Sequence, residues 1–269
     1  MTTRHEGVQL PMMQPLRRPS IIDQAELELR NAIYYGDLRP GDAVPEVQVS
    51  RQMGISRSSL REACQRLVRD GLLTQIPGRG LFVTRMDAET MSDFIDYRLG
   101  IEMQAATIVA EQVTRLRASG QDAQVDHLLA PLRACLERSR ASLEAEEVIE
   151  AGNADLDLHQ QLAELSRNRF LATSMNTIVI LTRMGSFSDP LGFGVRADIT
   201  STHEDLLEAL SRGDASRARA LLRESLQELA ARLRSGDEAD EDTEVVRDPD
   251  LLESTAPEWP SLGEGGPTS

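Results

Sequence analysis

The segment Gly54–Leu73, GISRSSLREACQRLVRDGLL, combines a helical pattern of apolar residues with a local excess of arginine. With Ser56 as the N-cap, its apolar residues recur at spacings of three and four and therefore share one helix face. These residues are Leu60, Ala63, Cys64, Leu67 and Val68. The opposite face carries Arg57, Arg61 and Gln65. The pattern predicts a helix that packs on its neighbours, with Cys64 in the core, and presents polar groups outward.

The flanking sequence predicts a small domain around this helix. Upstream, Ser20 and Asp23 form a variant capping box before a helix that ends near Gly36. A short helix over 46–53 and a turn at Gly54 come next. Downstream, two β-prone runs flank Pro77-Gly78-Arg79-Gly80, which is typical of a hairpin. Residues 20–86 are therefore predicted to form a helix-turn-helix with a β-wing.

Charge is distributed unevenly along the chain. The net charge is -15, yet residues 1–86 contain 12 arginines against 9 acidic residues. Residues 235–269 contain one arginine and 11 acidic residues, and the chain contains no lysine. The asymmetry indicates an anionic partner for the N-terminal part alone.

The outward face of the predicted helix has the side chains that recognise DNA. Arginine pairs bidentately with guanine, glutamine pairs with adenine, and serine binds phosphate near a helix N-terminus. An arginine between two glycines at a hairpin tip fits a narrow minor groove. The predicted DNA contacts are Ser56, Arg57, Ser58, Arg61, Gln65, Gly78, Arg79 and Gly80. The simpler alternative is a solvated amphipathic helix with exposed arginines.

The remainder of the chain predicts a mainly helical protein. Helical periodicity covers 88–118, 122–141, 145–166, 168–184, 200–212 and 214–233, with an irregular connection at 185–198. Residues 1–19 and the acidic tail 235–269 are expected to be disordered. The sequence contains no apolar run of membrane-spanning length and only two cysteines, so we expect no membrane partner and a cytoplasmic location.

Two groups of polar residues in the helical region are candidates for binding. Asp155 and His159 are four residues apart and share a helix face, so they could grip one cation, and His203 begins a later helix. Arg98 and Glu102 have the same spacing. The alternatives are ordinary polar helix residues and a helical ion pair. A metal hydrolase using Asp155, His159 and His203 with an activated water is a rival function.

The segments LRNAIYYGDLRPGDAV, GISRSSLREACQRLVRDGLL and PGRGLFVT resemble the winged helix-turn-helix of GntR-type bacterial regulators, in particular the FadR branch. The resemblance implies base contacts by Arg57 and Arg61, contacts by Ser56 and Ser58, and minor-groove entry by the wing tip. Family members often carry an arginine where this chain has Val47, and Arg51 one turn later could replace it on the phosphate.

Residues 87–234 resemble the FCD effector domain, a bundle of six or seven helices that often holds a divalent metal through one aspartate and three histidines. Asp155, His159 and His203 match the first three ligands, whereas Ser225 occupies the fourth position. The resemblance implies one zinc, nickel or manganese ion at a weakened site. It also implies an effector pocket, for which the candidates are Arg98, Glu102, Arg183 and Ser225.

The sequence therefore predicts a ligand-responsive repressor that binds an inverted-repeat operator as a homodimer. By the resemblance, a small carboxylate or an acyl thioester would release it. The alternatives are the metal-dependent hydrolase and a non-specific DNA-binding protein without an effector.

Overall fold

The computed structural model describes residues 20–86, 88–187, 194–196, 199–235 and 245–247. The N-terminal part contains three helices: α1 (Ile21–Tyr34), α2 (Glu46–Gln52) and α3 (Arg57–Arg69). Helix α1 begins with the predicted capping box, in which Ser20 and Asp23 bond to each other's backbone N–H groups. Gly36 follows α1 with φ +82°, a left-handed conformation that ends a helix at little cost in glycine.

A three-stranded antiparallel sheet completes this part. It contains β1 (Ala43–Val44), β2 (Leu73–Ile76) and β3 (Gly80–Val83) in the order β1-β3-β2. Leu73 lies opposite Val83 and Ile76 lies opposite Gly80, so β2 and β3 form the predicted hairpin. The short β1 strand was not predicted, because two residues carry no periodicity.

The helix-turn-helix core is apolar and includes residues from another part of the chain. Its buried members from the N-terminal part include Leu29, Ile33, Leu60, Leu67, Leu72 and Leu81. Ile180 and Met184, from a helix more than 90 residues later, belong to the same cluster. Because these side chains exclude water from both parts at once, the N-terminal part (residues 20–86, called the head below) and the helical region pack against each other.

The second part is a helical bundle. Its helices are α4 (Ala88–Ala118), α5 (Asp122–Glu144), α6 (Val148–Leu165), α7 (Arg169–Phe187), α8 (Ile199–Ser211) and α9 (Ala215–Ser235). Helix α4 runs through the bundle and packs on α5, α6, α7, α8 and α9. Its buried residues Ala105, Ala106, Val109 and Ala110 are small, which allows these helices to approach α4 closely.

Two predictions for irregular segments need correction. Helix α7 continues to Phe187, beyond the predicted end at residue 184. A short strand, β4 (Gly194–Arg196), lies inside the predicted irregular connection and pairs antiparallel with β5 (Val245–Arg247). Strand β5 lies in the tail that was expected to be disordered, because a strand edge elsewhere supplies backbone partners that composition cannot reveal. The expectations for residues 1–19, 236–244 and 248–269 lie outside the described residues.

Among the described residues, no helix is both long enough and apolar enough to cross a membrane.

Candidate DNA-binding surface and buried histidine cluster

The N-terminus of α3 is organised by serine. Ser56 is the N-cap, and its Oγ accepts a hydrogen bond from the backbone N–H of Ser59 at 3.1 Å. The hydroxyls of Ser58 and Ser59 lie 2.8 and 2.9 Å from the same oxygen. Three hydroxyls at a helix N-terminus form a polar surface that suits a phosphate oxygen.

Arg61 lies on the exposed face of α3, as predicted, and it forms an ion pair with Glu46. Its Nε and Nη2 donate to the two carboxylate oxygens of Glu46 in α2, at 2.9 and 3.2 Å. A DNA acceptor would therefore have to displace this carboxylate from Arg61. Sequence reasoning did not identify Glu46, since nothing in the spacing of α2 and α3 reveals which side chains meet.

The other arginines of the head divide into two groups. Arg30 and Arg66 bind acidic residues of α1 and α3 and hold the helices together. Within the described part of the chain, no carboxylate forms an ion pair with Arg51, Arg57 or Arg79. These three guanidinium groups are exposed. The head therefore keeps uncompensated positive charge on α2, α3 and the wing.

The wing tip has the geometry of a tight turn. Gly78 and Gly80 have φ values of +75° and +105°, which few other residues adopt, and the N–H of Arg79 donates to the carbonyl of Ile76. The Arg79 guanidinium lies 5.4 Å from the centre of the Phe82 ring. The aromatic contact holds an exposed arginine at the tip without neutralising it.

Gln65 and Cys64 lie on different faces of α3, one exposed and the other buried. Gln65 is exposed and donates to the side-chain oxygen of Gln75 in β2 at 3.1 Å. Cys64 is fully buried, and burial raises its pKa to about 11. The prediction that Cys64 belongs to the core is confirmed.

The structure brings Asp155, His159 and His203 together, from α6 and α8. One ligand atom from each residue lies within 4.8 Å of the other two. Asp155 Oδ1 is 3.3 Å from His203 Nδ1 and 3.8 Å from His159 Nε2. The imidazole rings are 5.1 Å apart between centres and nearly perpendicular. We call these three residues the histidine cluster.

The donor set fits a divalent transition metal. Asp155 Oδ1 is buried and has no hydrogen-bond partner among the described atoms, although two imidazoles lie nearby. A buried oxygen in this state is costly unless a cation or a proton satisfies it. One carboxylate oxygen and two imidazole nitrogens suit zinc, nickel or manganese.

The protonation state of His203 favours such a site. Burial lowers the pKa of His203 to about 4, against the opposing charge of Asp155. The imidazole is therefore neutral near pH 7, which is the form that binds metals.

Behind His159 lies a buried ion pair. Glu102 Oε2 is 3.1 Å from His159 Nδ1, although the two groups are not aligned as a hydrogen bond. Arg98 Nε donates to Glu102 Oε1 at 2.6 Å. Burial would raise the pKa of Glu102, but the charges of Arg98 and His159 outweigh it and lower the pKa to about 2. A charged Glu102 facing Nδ1 leaves His159 Nε2 to face Asp155.

The remaining candidate effector residues lie in different places. Ser225 is half-buried in α9, and its hydroxyl has no hydrogen bond among the described residues. Arg183 lies in α7, where its guanidinium contacts Tyr34 of α1 and Asn153 of α6. Sequence reasoning missed Tyr34, Asn153 and Thr182, whose hydroxyl accepts a hydrogen bond from Arg98 Nη1 at 3.2 Å. They are ordinary polar residues whose importance depends on which helices pack together.

A winged helix-turn-helix joined to a helical bundle with a buried cluster of ligand-type residues defines the class of ligand-controlled DNA-binding proteins. Family models agree with this description. The model of bacterial regulatory proteins of the gntR family matches residues 21–83, and the FCD domain model matches residues 93–228. The chain therefore belongs to the GntR-type transcription regulators with an FCD domain.

Two relatives are also named as transcriptional regulators. The chain is 30% identical over 154 residues to the Nta operon transcriptional regulator of Aminobacter aminovorans, covering 56% of this chain and 66% of that protein. It is 25% identical over 151 residues to the HTH-type transcriptional regulator YdhC of Bacillus subtilis, covering 54% and 60%. The matched region thus spans less than two thirds of the length of either relative.

A solved structure confirms the fold. A transcriptional regulator GntR from Rhodococcus sp. RHA1 superimposes with a TM-score of 0.65 at 23% identity, over 80% of this chain and 97% of that chain. Family and relatives are transcription regulators and not enzymes, so the hydrolase alternative has no support.

Proposed function

We propose that this regulator is a repressor that binds an inverted-repeat operator as a homodimer and is released by a small carboxylate. The observation that carries the proposal is the pairing, in one chain, of an uncompensated arginine surface on the head with a buried, unsatisfied Asp/His/His cluster in the bundle.

The DNA-binding half of the proposal assigns each exposed group of the head a role. Arg57 and Arg61 read base edges in the major groove, while the serines at the start of α3 bind phosphate. Arg79 enters the minor groove, and Arg51 on α2 contacts the backbone. Gln65 of α3, whose side chain is bonded to Gln75 of β2, reads a further base. A twofold dimer presents two such surfaces, which fits an operator with repeated half-sites.

The effector half of the proposal centres on the histidine cluster. Asp155, His159 and His203 hold one divalent metal, which would supply a Lewis-acidic centre for the oxygen atoms of a carboxylate. Three protein ligands leave coordination positions open, as in sites that exchange water for a ligand. Ser225 and the buried Arg98–Glu102 pair are the candidate residues around the bound ligand.

The experiment that tests the DNA-binding half replaces Arg61 with alanine. An operator is first selected from random duplexes with the wild-type protein, and affinities for it and for a scrambled duplex are then compared by fluorescence anisotropy. Arg61→Ala should lose about 1–3 kcal/mol of discrimination between the two duplexes, because a bidentate base contact is removed.

Arg69→Ala is the matched control, since Arg69 is exposed at the other end of α3 and has no ion pair among the described residues. It should change both affinities alike. Equal discrimination by wild type and Arg61→Ala would refute the assignment of α3 as the base-reading helix. A wild-type protein that selects no sequence would support the non-specific alternative instead.

A further inference from the structure

The contact between the head and the bundle contains a polar group of three residues, of which Arg183 is buried and Tyr34 and Asn153 are half-buried. The hydroxyl of Tyr34, at the end of α1, donates to Asn153 Oδ1 of α6 at 3.1 Å. The Arg183 guanidinium of α7 donates to the same Asn153 oxygen, and its Nη2 lies 3.4 Å from the Tyr34 hydroxyl. It also lies over the Tyr34 ring, 5.1 Å from its centre. We call Tyr34, Asn153 and Arg183 the interdomain triad.

The interdomain triad is fixed in place by apolar packing. Arg183 is only 2% exposed, and its neighbours on α7, Ile180 and Met184, are buried in the core of the head. A buried guanidinium requires specific acceptors, and losing one of them is expensive. The head is therefore held against α6 and α7 in one defined arrangement rather than through a loose apolar surface.

Two connections lead from the interdomain triad back to the histidine cluster. Along α6, Asn153 stands two residues before Asp155. Across α7, Thr182 precedes Arg183, and its Oγ1 accepts a hydrogen bond from Arg98 Nη1 at 3.2 Å.

The second connection continues through the buried ion pair of the bundle. Arg98 binds Glu102, whose other carboxylate oxygen lies 3.1 Å from His159. Side-chain contacts thus lead from the cluster to Thr182, and the backbone of α7 joins Thr182 to Arg183 of the interdomain triad. Arg98 and Glu102 are 4% and 0% exposed, so solvent screens this series little.

We propose that the interdomain triad positions the DNA-binding head and couples it to occupation of the histidine cluster, an inference that rests on the proposed function. A cation held by Asp155 and His159 would change the charge next to Glu102 and would restrain the part of α6 that carries Asn153. The hydrogen bond from Tyr34 to Asn153 would then have different free energies with and without a cation in the histidine cluster. Such a difference is what allows binding at one site to alter affinity at another.

Tyr34→Phe tests the proposal because it removes the hydroxyl and keeps the ring that packs under Arg183. The probe is zinc alone. Operator affinity is measured by anisotropy for protein freed of metal by a chelator and for zinc-loaded protein. The ratio of these two dissociation constants for the operator is the coupling factor. The wild-type factor should be about 5 or more, which is the lower range of known allosteric effects.

In Tyr34→Phe the coupling factor should fall toward one while zinc still binds with the wild-type stoichiometry. Tyr35→Phe is the control, because Tyr35 is the next residue, 68% exposed, and should retain the wild-type factor. A loss of stability without a change in the factor is what a purely structural role for the hydroxyl would give, and it would overturn the proposal.

A wild-type factor of one in zinc-loaded protein would also overturn it, since the cluster would then not communicate with the head. Neither result touches the operator test with Arg61→Ala. Failure of this inference is therefore distinguishable from failure of the proposed DNA-binding function.

Discussion

Glu46 of α2 is the carboxylate that binds Arg61, the arginine proposed to read bases. Its two oxygens accept hydrogen bonds from Arg61 Nε and Nη2, and the pair is partly exposed, at 67% for the arginine and 27% for the glutamate. Exposed ion pairs contribute little, about 0.2–1 kcal/mol, so the pair opens easily when DNA offers guanine or phosphate. If α3 occupies the major groove as proposed, Glu46 would also place a negative charge near the DNA backbone.

Glu46→Gln should therefore tighten binding to both operator and scrambled DNA by a few-fold, because it frees Arg61 and removes a charge that phosphate repels. Titrations at two salt concentrations measure both affinities. Glu28→Gln, an equal change of charge on the exposed side of α1, should leave them nearly unchanged. Weaker operator binding by Glu46→Gln would mean instead that Glu46 orients Arg61 for base contact.

Individual residues differ in how well the sequence reveals them. The i, i+4 spacing of Asp155 and His159 predicts a shared helix face, and capping rules correctly predict Ser20 and Ser56. The pairing of Arg61 with Glu46 depends on the crossing of α2 and α3, which no local pattern encodes.

At the scale of elements, helices were predicted well because their periodicity is local. The predicted span 88–118 is that of α4, and the start of α5 at Asp122 also agrees. The pairing of β4 with β5 was missed because its partners are about fifty residues apart and each is only three residues long. The burial of Ile180 and Met184 of α7 in the core of the head was also missed, since the apolar residues of a helix do not specify the element on which they pack.

Two glycines show how an element's surroundings decide the effect of one methyl group. Gly100 lies within α4 and is exposed, with no atom within 4 Å of an added Cβ. Gly213 lies between α8 and α9 with φ +71°, where a Cβ would be 2.3 Å from Thr114 Oγ1. Gly100 makes α4 less stable than alanine would, and no described atom requires a glycine there. Gly213 is required, because its positive φ and the nearby Thr114 leave no room for a Cβ.

Gly100→Ala should raise the free energy of unfolding by about 0.5–1 kcal/mol, because alanine loses less backbone entropy in a helix. Gly213→Ala should lower it by about 1–3 kcal/mol through the strained φ and the collision with Thr114. Urea titrations followed by circular dichroism measure both changes. Destabilisation by Gly100→Ala would point to close approach of another chain on this face of α4.

At the scale of the whole molecule, the histidine cluster joins helices that are distant in sequence. Asp155 and His159 come from α6, His203 comes from α8, and Glu102 supports His159 from α4. The family resemblance predicted that these residues meet, whereas spacing alone left His203 unassigned. A metal held by them would connect two helices of the bundle, and its binding would favour the folded state alone.

Metal loading should therefore raise the melting temperature of the protein. Binding to the folded state stabilises it by about 2.7 kcal/mol when free metal is at 100 times its dissociation constant. Chelator-treated protein is titrated with zinc, nickel or manganese, and the melting temperature is recorded with the metal content per chain. Asp155→Asn keeps the size of the side chain but weakens it as a ligand, so it should lose most of the increase.

His127→Ala is the matched control, because His127 is an exposed histidine of α5 outside the cluster and its removal should leave the increase intact. This comparison separates the cluster from general binding of metal to surface histidines. Equal increases in wild type and Asp155→Asn would show that metal stabilises the protein elsewhere. No increase and no bound metal in the wild type would mean that Ser225, at the position of the fourth ligand, has cost the site its affinity, and an organic anion facing Arg98 would then be the effector to seek.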